Sequence, residues 1–360
     1  MTIEWLAGNR IRGTTAERPA LGLPSGSVGG WVEVGRTTLG SAGDDITVSS
    51  LDDKRYYMML FSSSNSTGRT GHNWRFNGDT GSNYAYRRGR DGSEAASGSK
   101  TSITWGESVS AGWDNDFSIN YVSNLSNKEK LALGHCGHSQ STGAGTAPNR
   151  TENVGKWTNT SDAINSITAY NPEAGSFGSG DEVVVLGYDP DDTHTDNFWE
   201  ELASVNASGS ATSFDTGTFT PKKYLWVQVY SNTNSSAGTN ITLRVGNGSI
   251  DTGSNYARRY NINGSEGTMT SNTQMFQVEA TESGFMNCFI VNNSSTEKLI
   301  IGHGIEGNTS GGNTGVDRDA GAGKWSNASD QINIIGVYSA AGGSPPNYTT
   351  DSFIKVWGHD

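Results

Sequence analysis

Cysteine, proline, basic charge and long apolar runs are all scarce in this sequence, and each scarcity closes a route. Two cysteines among 360 residues, Cys136 and Cys288, cannot supply a disulfide framework or a metal cluster, and both are expected to be incidental core thiols. No window approaches the length of apolar sequence that spans a bilayer, so membrane insertion is not expected. Lys and Arg number 25 against 37 Asp and Glu, and the net charge of −12 sets like charge against any phosphate backbone. Nucleic acid is therefore not an expected partner. Long polar helix formers are thin, and no stretch carries a helical period of useful length. The opening Met1-Thr2-Ile3-Glu4-Trp5 has no basic head followed by an apolar run, which predicts a chain made without an export signal.

What is abundant points one way. Glycine supplies 48 residues, and Ser, Thr and Asn are common, as short strands joined by many tight turns require. Only 33% of the chain is hydrophobic, yet ten Trp, thirteen Tyr and eleven Phe give the large buried surfaces that a disordered chain lacks.

The chain contains itself twice. Asp79-Thr80-Gly81-Ser82-Asn83-Tyr84-Ala85 recurs as Asp251 to Ala257. Glu129-Lys130-Leu131 with Gly134-His135 recurs as Glu297-Lys298-Leu299 with Gly302-His303, and Gly155-Lys156-Trp157, Asn159 and Ser161-Asp162 recur as Gly323-Lys324-Trp325, Asn327 and Ser329-Asp330. Trp31 pairs with Trp199, and Tyr56 with Tyr224. The repeats predict an N-terminal arm over 1–30, a first domain over 31–190, an acidic linker over 191–198 and a second domain over 199–360. The linker's Asp191, Asp192 and Asp196 could hold Ca²⁺, but their spacing matches no loop with defined ligand positions.

Within each copy, runs such as Tyr224–Tyr230, Phe285–Val291 and Asp181–Gly187 read as strands, about eight to ten per copy. An all-β fold of two tandem jelly-roll-like β-sandwiches follows, since some 160 residues per copy exceed an immunoglobulin-type domain of roughly 100.

The segment Arg75-Phe76-Asn77-Gly78-Asp79-Thr80-Gly81-Ser82-Asn83-Tyr84, with Trp157 and Ser161–Ile167 downstream and Trp5–Gly13 at the start, resembles structural proteins of marine phages and related environmental viruses. The resemblance covers the first copy well and the second more loosely, where Val245–Ile250 departs from the Phe-Asn-Gly pattern. It implies a virion component assembled in the host cytoplasm and displayed on the particle exterior, with other virion proteins or copies of itself as partners. It carries over no catalytic residue and no cofactor.

The residues that carry chemistry have bland readings beside the sharp ones. His135 and His303 hold equivalent positions and are expected to be hydrogen-bonded structural histidines, since no second ligand sits at metal-binding spacing in both copies. Gly323-Lys324 is followed by Trp325, which rules out a phosphate-binding loop. Asp-Thr-Gly at 79–81 and 251–253 looks like the aspartic protease triplet, but Asn-Gly nearby makes a turn the expectation. Asp162 and Asp330 could each be one of a hydrolytic carboxylate pair, or ordinary turn residues.

Carbohydrate binding is the rival to a purely structural role. Trp157, Trp325, Tyr84 and Tyr256 would offer rings for stacking, with Asn159, Asn327, Asp162 and Asp330 meeting sugar hydroxyls, unless the rings fill the cores. The leading expectation is a non-enzymatic, homo-oligomeric virion surface protein, either a capsid decoration or a tail or fibre component, whose arm (Trp5, Arg10, Arg12) docks on a neighbour. Three alternatives stand beside it: a glycan-binding adhesin, a self-assembling extracellular filament subunit, and a double-jelly-roll capsid shell protein.

Overall fold

Two kinds of apolar run decide where strands form. Tyr224–Asn232 alternates, and its burial alternates with it, as a strand with one core face requires. Tyr57–Phe61 and Val183–Leu186 are apolar without a break, and every one of these residues is buried, so these strands are covered on both faces. The computed structural model describes residues 30–105, 115–192, 196–233, 239–280, 283–307, 316–340 and 345–360. Trp5, Arg10 and Arg12 of the expected arm lie outside the described residues.

The first copy comprises β1 (Val32–Thr38), β2 (Asp45–Ser49), β3 (Tyr56–Ser63), β4 (Asn73–Phe76), β5 (Tyr84–Arg90), β6 (Ser93–Lys100), β7 (Ile103–Thr104), β8 (Asn115–Ser123), β9 (Lys130–Ser139), β10 (Asn149–Trp157), β11 (Ser166–Tyr170) and β12 (Glu182–Tyr188). The second comprises β13 (Glu200–Asn206), β14 (Ser213–Asp215), β15 (Tyr224–Asn232), β16 (Thr239–Asn247), β17 (Ser249–Ile250), β18 (Tyr256–Ile262), β19 (Ser265–Asn272), β20 (Phe276–Ala280), β21 (Ser283–Val291), β22 (Lys298–Gly307), β23 (Asp317–Trp325), β24 (Ile334–Ala340) and β25 (Phe353–His359).

Each copy is a β-sandwich of one large and one small sheet. The large sheets run β1-β12-β3-β8-β9-β10-β5-β6 and β13-β25-β15-β21-β22-β23-β18-β19, the same order strand for strand. The small sheets run β2-β11-β4-β7 and β14-β24-β16-β17, with β20 also on β16 where β7 lies on β4. In each copy the last strand inserts between the first and the third, so the copy closes on itself. Even the irregularities repeat. A bulge falls between Glu33 and Gly35 in β1 and between Glu201 and Ala203 in β13. The β5–β6 and β18–β19 hairpins turn on Asp91-Gly92 and Asn263-Gly264, whose φ values of 46°, 81°, 51° and 91° need residues that tolerate the left-handed region.

Three cores result. Each sandwich has its own, built on Trp74, Phe61 and Val185 in the first copy and on Ile241, Val227 and Tyr348 in the second. The third lies between the copies, where the outer faces of the two large sheets meet through Met58, Leu60, Phe117, Ile119, Phe198, Trp199, Tyr224, Phe289, Ile301 and Trp357. Polar bonds frame this seam. Glu182 of the first copy accepts the Tyr224 hydroxyl at 2.6 Å and pairs with Lys223 at 2.8 Å. Lys324 reaches back to Ser139 Oγ at 3.1 Å and the Ser141 carbonyl at 2.6 Å.

The stretch expected as a solvated acidic linker is not one throughout. Asp191 and Asp192 pair with Arg55 at 2.9 Å and Lys54 at 2.5 Å, so their charges are spent on the first copy. Asn197 and Phe198 are buried, and the Phe198 amide donates to the Trp31 carbonyl at 2.7 Å. An aromatic side chain inside the seam removes more apolar surface from water there than an exposed link would, and the chain follows it in.

Candidate functional site

The duplicated motif is a packing device. Asp79 Oδ1 accepts the Gly81 amide at 2.7 Å, its Oδ2 accepts the Trp157 indole N–H at 2.7 Å, and the Tyr84 hydroxyl bonds the Phe76 backbone. Asp251, Gly253, Trp325, Tyr256 and Val245 repeat this arrangement. Burial works against the charge on Asp79 and Asp251, but the hydrogen bonds from Trp157 and Asn83, and from Trp325 and Asn255, outweigh it and hold both carboxyls below their usual range. Each aspartate is committed to the tryptophan of its own copy, so the two do not form a shared-proton dyad.

The residues expected to bind sugar are divided accordingly. Trp157, Trp325, Tyr84 and Tyr256 are buried in the two cores with their ring faces against protein, contrary to the exposed stacking platform expected of them, although Trp325 with Asn327 and Asp330 edges a hollow of about 370 Å³. Asn159 and Asn327 each accept two backbone amides and donate to Asp162 and Asp330 at 2.7 and 3.0 Å. These are turn bonds at the surface, held in place by Lys130 and Lys298, which donate to the carbonyls of Asn159 and Asn327.

The seam holds what single-copy reasoning missed. His135 and His303 face each other across it with ring centroids 4.7 Å apart, and His303 Nε2 stands 2.7 Å from Glu152 Oε1. Burial, then the neighbouring His303, pushes His135 below the ordinary histidine range. Glu152 is held well below the carboxylate range, because the His303 bond and the surrounding positive charge overcome its burial. The three donor groups lie within 4.8 Å of one another, but Arg150 also pairs with Glu152 at 2.9 Å and already meets its charge. Equivalent positions in a duplicated sequence were the available signal that the two histidines could meet at a pseudo-symmetric contact.

The main feature is an unequal fate of equal positions. In the second copy, Tyr224, Leu299, Ile301 and Ala322 are fully buried against the first copy. Their counterparts Tyr56, Leu131, Leu133 and Val154 are 39%, 59%, 55% and 53% exposed. Away from the His135–His303 contact the two large sheets are therefore packed out of register with the internal symmetry, and the first copy keeps an open apolar strip. This strip floors a groove of about 1030 Å³ walled by Trp31, Tyr121 and Arg87. Through Leu133 and Val154 the groove runs into a cleft of about 480 Å³ that ends on His135, Glu152 and His303. Exposed apolar patches rimmed by polar groups mark contact surfaces.

Fold and surface together define a tandem β-sandwich protein with one covered and one open sheet face. No protein-family model matches the sequence, and no curated protein matches it. Among solved structures the chain is similar to domains LG4-5 of the mouse laminin alpha1 chain at 8% identity, covering 92% of each chain, with a TM-score of 0.19. It is similar to Neisserial surface protein A at 9% identity, covering 79% of this chain and 96% of that one, with a TM-score of 0.12. Scores of this size assign no function.

Proposed function

We propose that this chain is a non-enzymatic structural protein of a virion surface, a capsid decoration or tail or fibre component, which docks through the open strip of its first large sheet. One observation carries the reading: Leu131, Leu133 and Val154 are exposed where Leu299, Ile301 and Ala322 are buried. Surface that is core in one half of a molecule and bare in the other is what an assembly contact removes from water. The partner is a second copy of the chain or another virion protein presenting a complementary sheet face, and the resemblance of Arg75–Tyr84 and Trp5–Gly13 to phage structural proteins supports the particle. The net charge of −12 supports an exterior position over a genome-facing one.

Electron microscopy of the full chain beside a variant lacking residues 1–30, with light scattering of Leu131→Asp/Leu133→Asp, tests the reading. Closed oligomers, or binding to purified capsids, that disappear in the double variant are expected. Open filaments would move the assignment to a filament subunit. An inert monomer that binds no capsid would overturn it.

A further inference from the structure

Deep in the first sandwich, away from the docking surface, lies a buried polar cluster. Cys136 and His138 are two apart on β9 and so share its inner face, and Asp116 on β8 is paired directly with His138. His72 comes from the opposite layer, immediately before β4, with its carbonyl fixed by the Trp105 amide. All four are buried: His72, Cys136 and His138 completely, and Asp116 to 3% exposure.

His72, Asp116 and Cys136 each offer a donor atom within 4.8 Å of the other two, and His138 stands beside Cys136. His72 Nδ1 is 2.9 Å from Asp116 Oδ2, Cys136 Sγ is 3.3 Å from Asp116 Oδ1, and Cys136 Sγ is 3.9 Å from His138 Nδ1. Donors around a tetrahedral zinc, with Zn–N and Zn–O near 2.1 Å and Zn–S near 2.3 Å, stand roughly 3.3–3.8 Å apart. The Cys136–Asp116 separation lies at the edge of that range, the His72–Asp116 contact is shorter and the Cys136–His138 contact longer, so small side-chain shifts bring the donors onto an ion. A buried carboxylate also needs a cation, and among the described residues the only ion-pair partner of Asp116 is His72.

The second copy shows that the sandwich does not need these groups. Tyr84 and Tyr256 bond the backbones of Phe76 and Val245, which makes Ile241 the counterpart of His72. Gly284 pairs with Glu306 as Asp116 pairs with His138, and Gly304 stands where Cys136 does. Three of the four donors are replaced by Ile or Gly in the same fold.

We propose that His72, Asp116, Cys136 and His138 form a structural zinc site that staples the two sheets of the first copy. On binding, the Cys136 S–H bond breaks and an S–Zn bond forms, with the proton leaving to water. The two imidazoles donate neutral lone pairs, and the thiolate and carboxylate balance the charge of the ion. The ion enters as the chain folds, since the four donors are enclosed afterwards. The inference is independent of the docking proposal.

The full chain is unfolded in guanidinium with a chelator, then refolded with zinc, with cobalt(II) or with neither. One retained zinc per chain after gel filtration is expected, with a thermal midpoint roughly 5–10 °C above that of the metal-free chain. The cobalt form should carry the near-ultraviolet absorption of a thiolate ligand. Cys136→Ser should lose that absorption, and Cys288→Ser, which alters the second copy's buried thiol, should keep it. If Cys136→Ser does not refold, the stoichiometry and the cobalt spectrum of the unaltered chain decide. Less than a tenth of an equivalent of zinc with no thiolate band would overturn the site. So would metal that survives in Cys136→Ser but is lost in His303→Ala, which would place it at the seam.

Discussion

Leu133 and Ile301 occupy the same position on β9 and β22, yet Leu133 is more than half exposed and Ile301 has no contact with water. Leu133→Asp should therefore leave unfolding within about 0.5 kcal/mol of the parent, as exposed substitutions do. Ile301→Ala should cost about 2–5 kcal/mol through the cavity it opens in the seam. Urea unfolding measures both, and equal costs would contradict the offset packing.

Asp79 and Asp251 anchor the tryptophans of their copies, and each should be needed by its own sandwich. Asp79→Ala leaves the buried Trp157 N–H without its acceptor and should destabilise the first copy by about 1–3 kcal/mol. Asp251→Ala should do the same in the second copy. Tryptophan fluorescence during denaturant unfolding follows both. A neutral result at either position would show that the indole finds another acceptor.

Acid should weaken the seam and the sandwiches together. Burial raises the Glu182 pKa, but Lys223, Tyr224 and Thr38 more than reverse this, so its folded value lies below the unfolded one near 4.3. The stability it contributes is present above about pH 4.3 and is lost as pH falls through the depressed folded value. Asp79 and Asp251 act with the same sign. Calorimetry between pH 7 and 3 should show the transition shift downward at the acid end, and Glu182→Gln should flatten that dependence.

Trp157→Ala should destabilise the first copy by about 3–5 kcal/mol, since the ring is core. Titration of the parent with oligosaccharides should leave the emission of Trp157 and Trp325 unchanged. A saturable quench that Trp157→Phe abolishes would return the indole to a sugar site.

The duplication was legible because its most repeated residues are the ones whose geometry is hardest to replace. Asp-Thr-Gly-Ser-Asn-Tyr encodes a turn, an indole acceptor and a buried hydroxyl at once, so both copies retain it. Strands with alternating or unbroken apolar residues, such as Tyr224–Asn232 and Glu182–Tyr188, were legible for the same reason. The hydrophobic runs undercount the strands, because β6 (Ser93–Lys100) is exposed along most of its length and β7 and β17 have two residues each. The seam was half legible. Unbroken runs at Tyr57–Phe61 and Val183–Leu186 announce strands covered on both faces, but nothing in the residue pattern says that the copies cover each other off register. The polar cluster was not legible: Cys136 reads as an incidental core thiol, and His72 and Asp116 reach it only through the sandwich closure.

The offset seam also gives the molecule a direction. Two identical halves joined symmetrically would present the same face at either end, and stacking them would produce structures without a front or a back. Here one half has its apolar strip permanently occupied and the other offers its strip outward, so head and tail are chemically distinct. Two molecules that bury their open strips against each other must meet face to face about a twofold axis, whereas a strip filled by a different surface points every subunit the same way and yields an array that can tell base from tip.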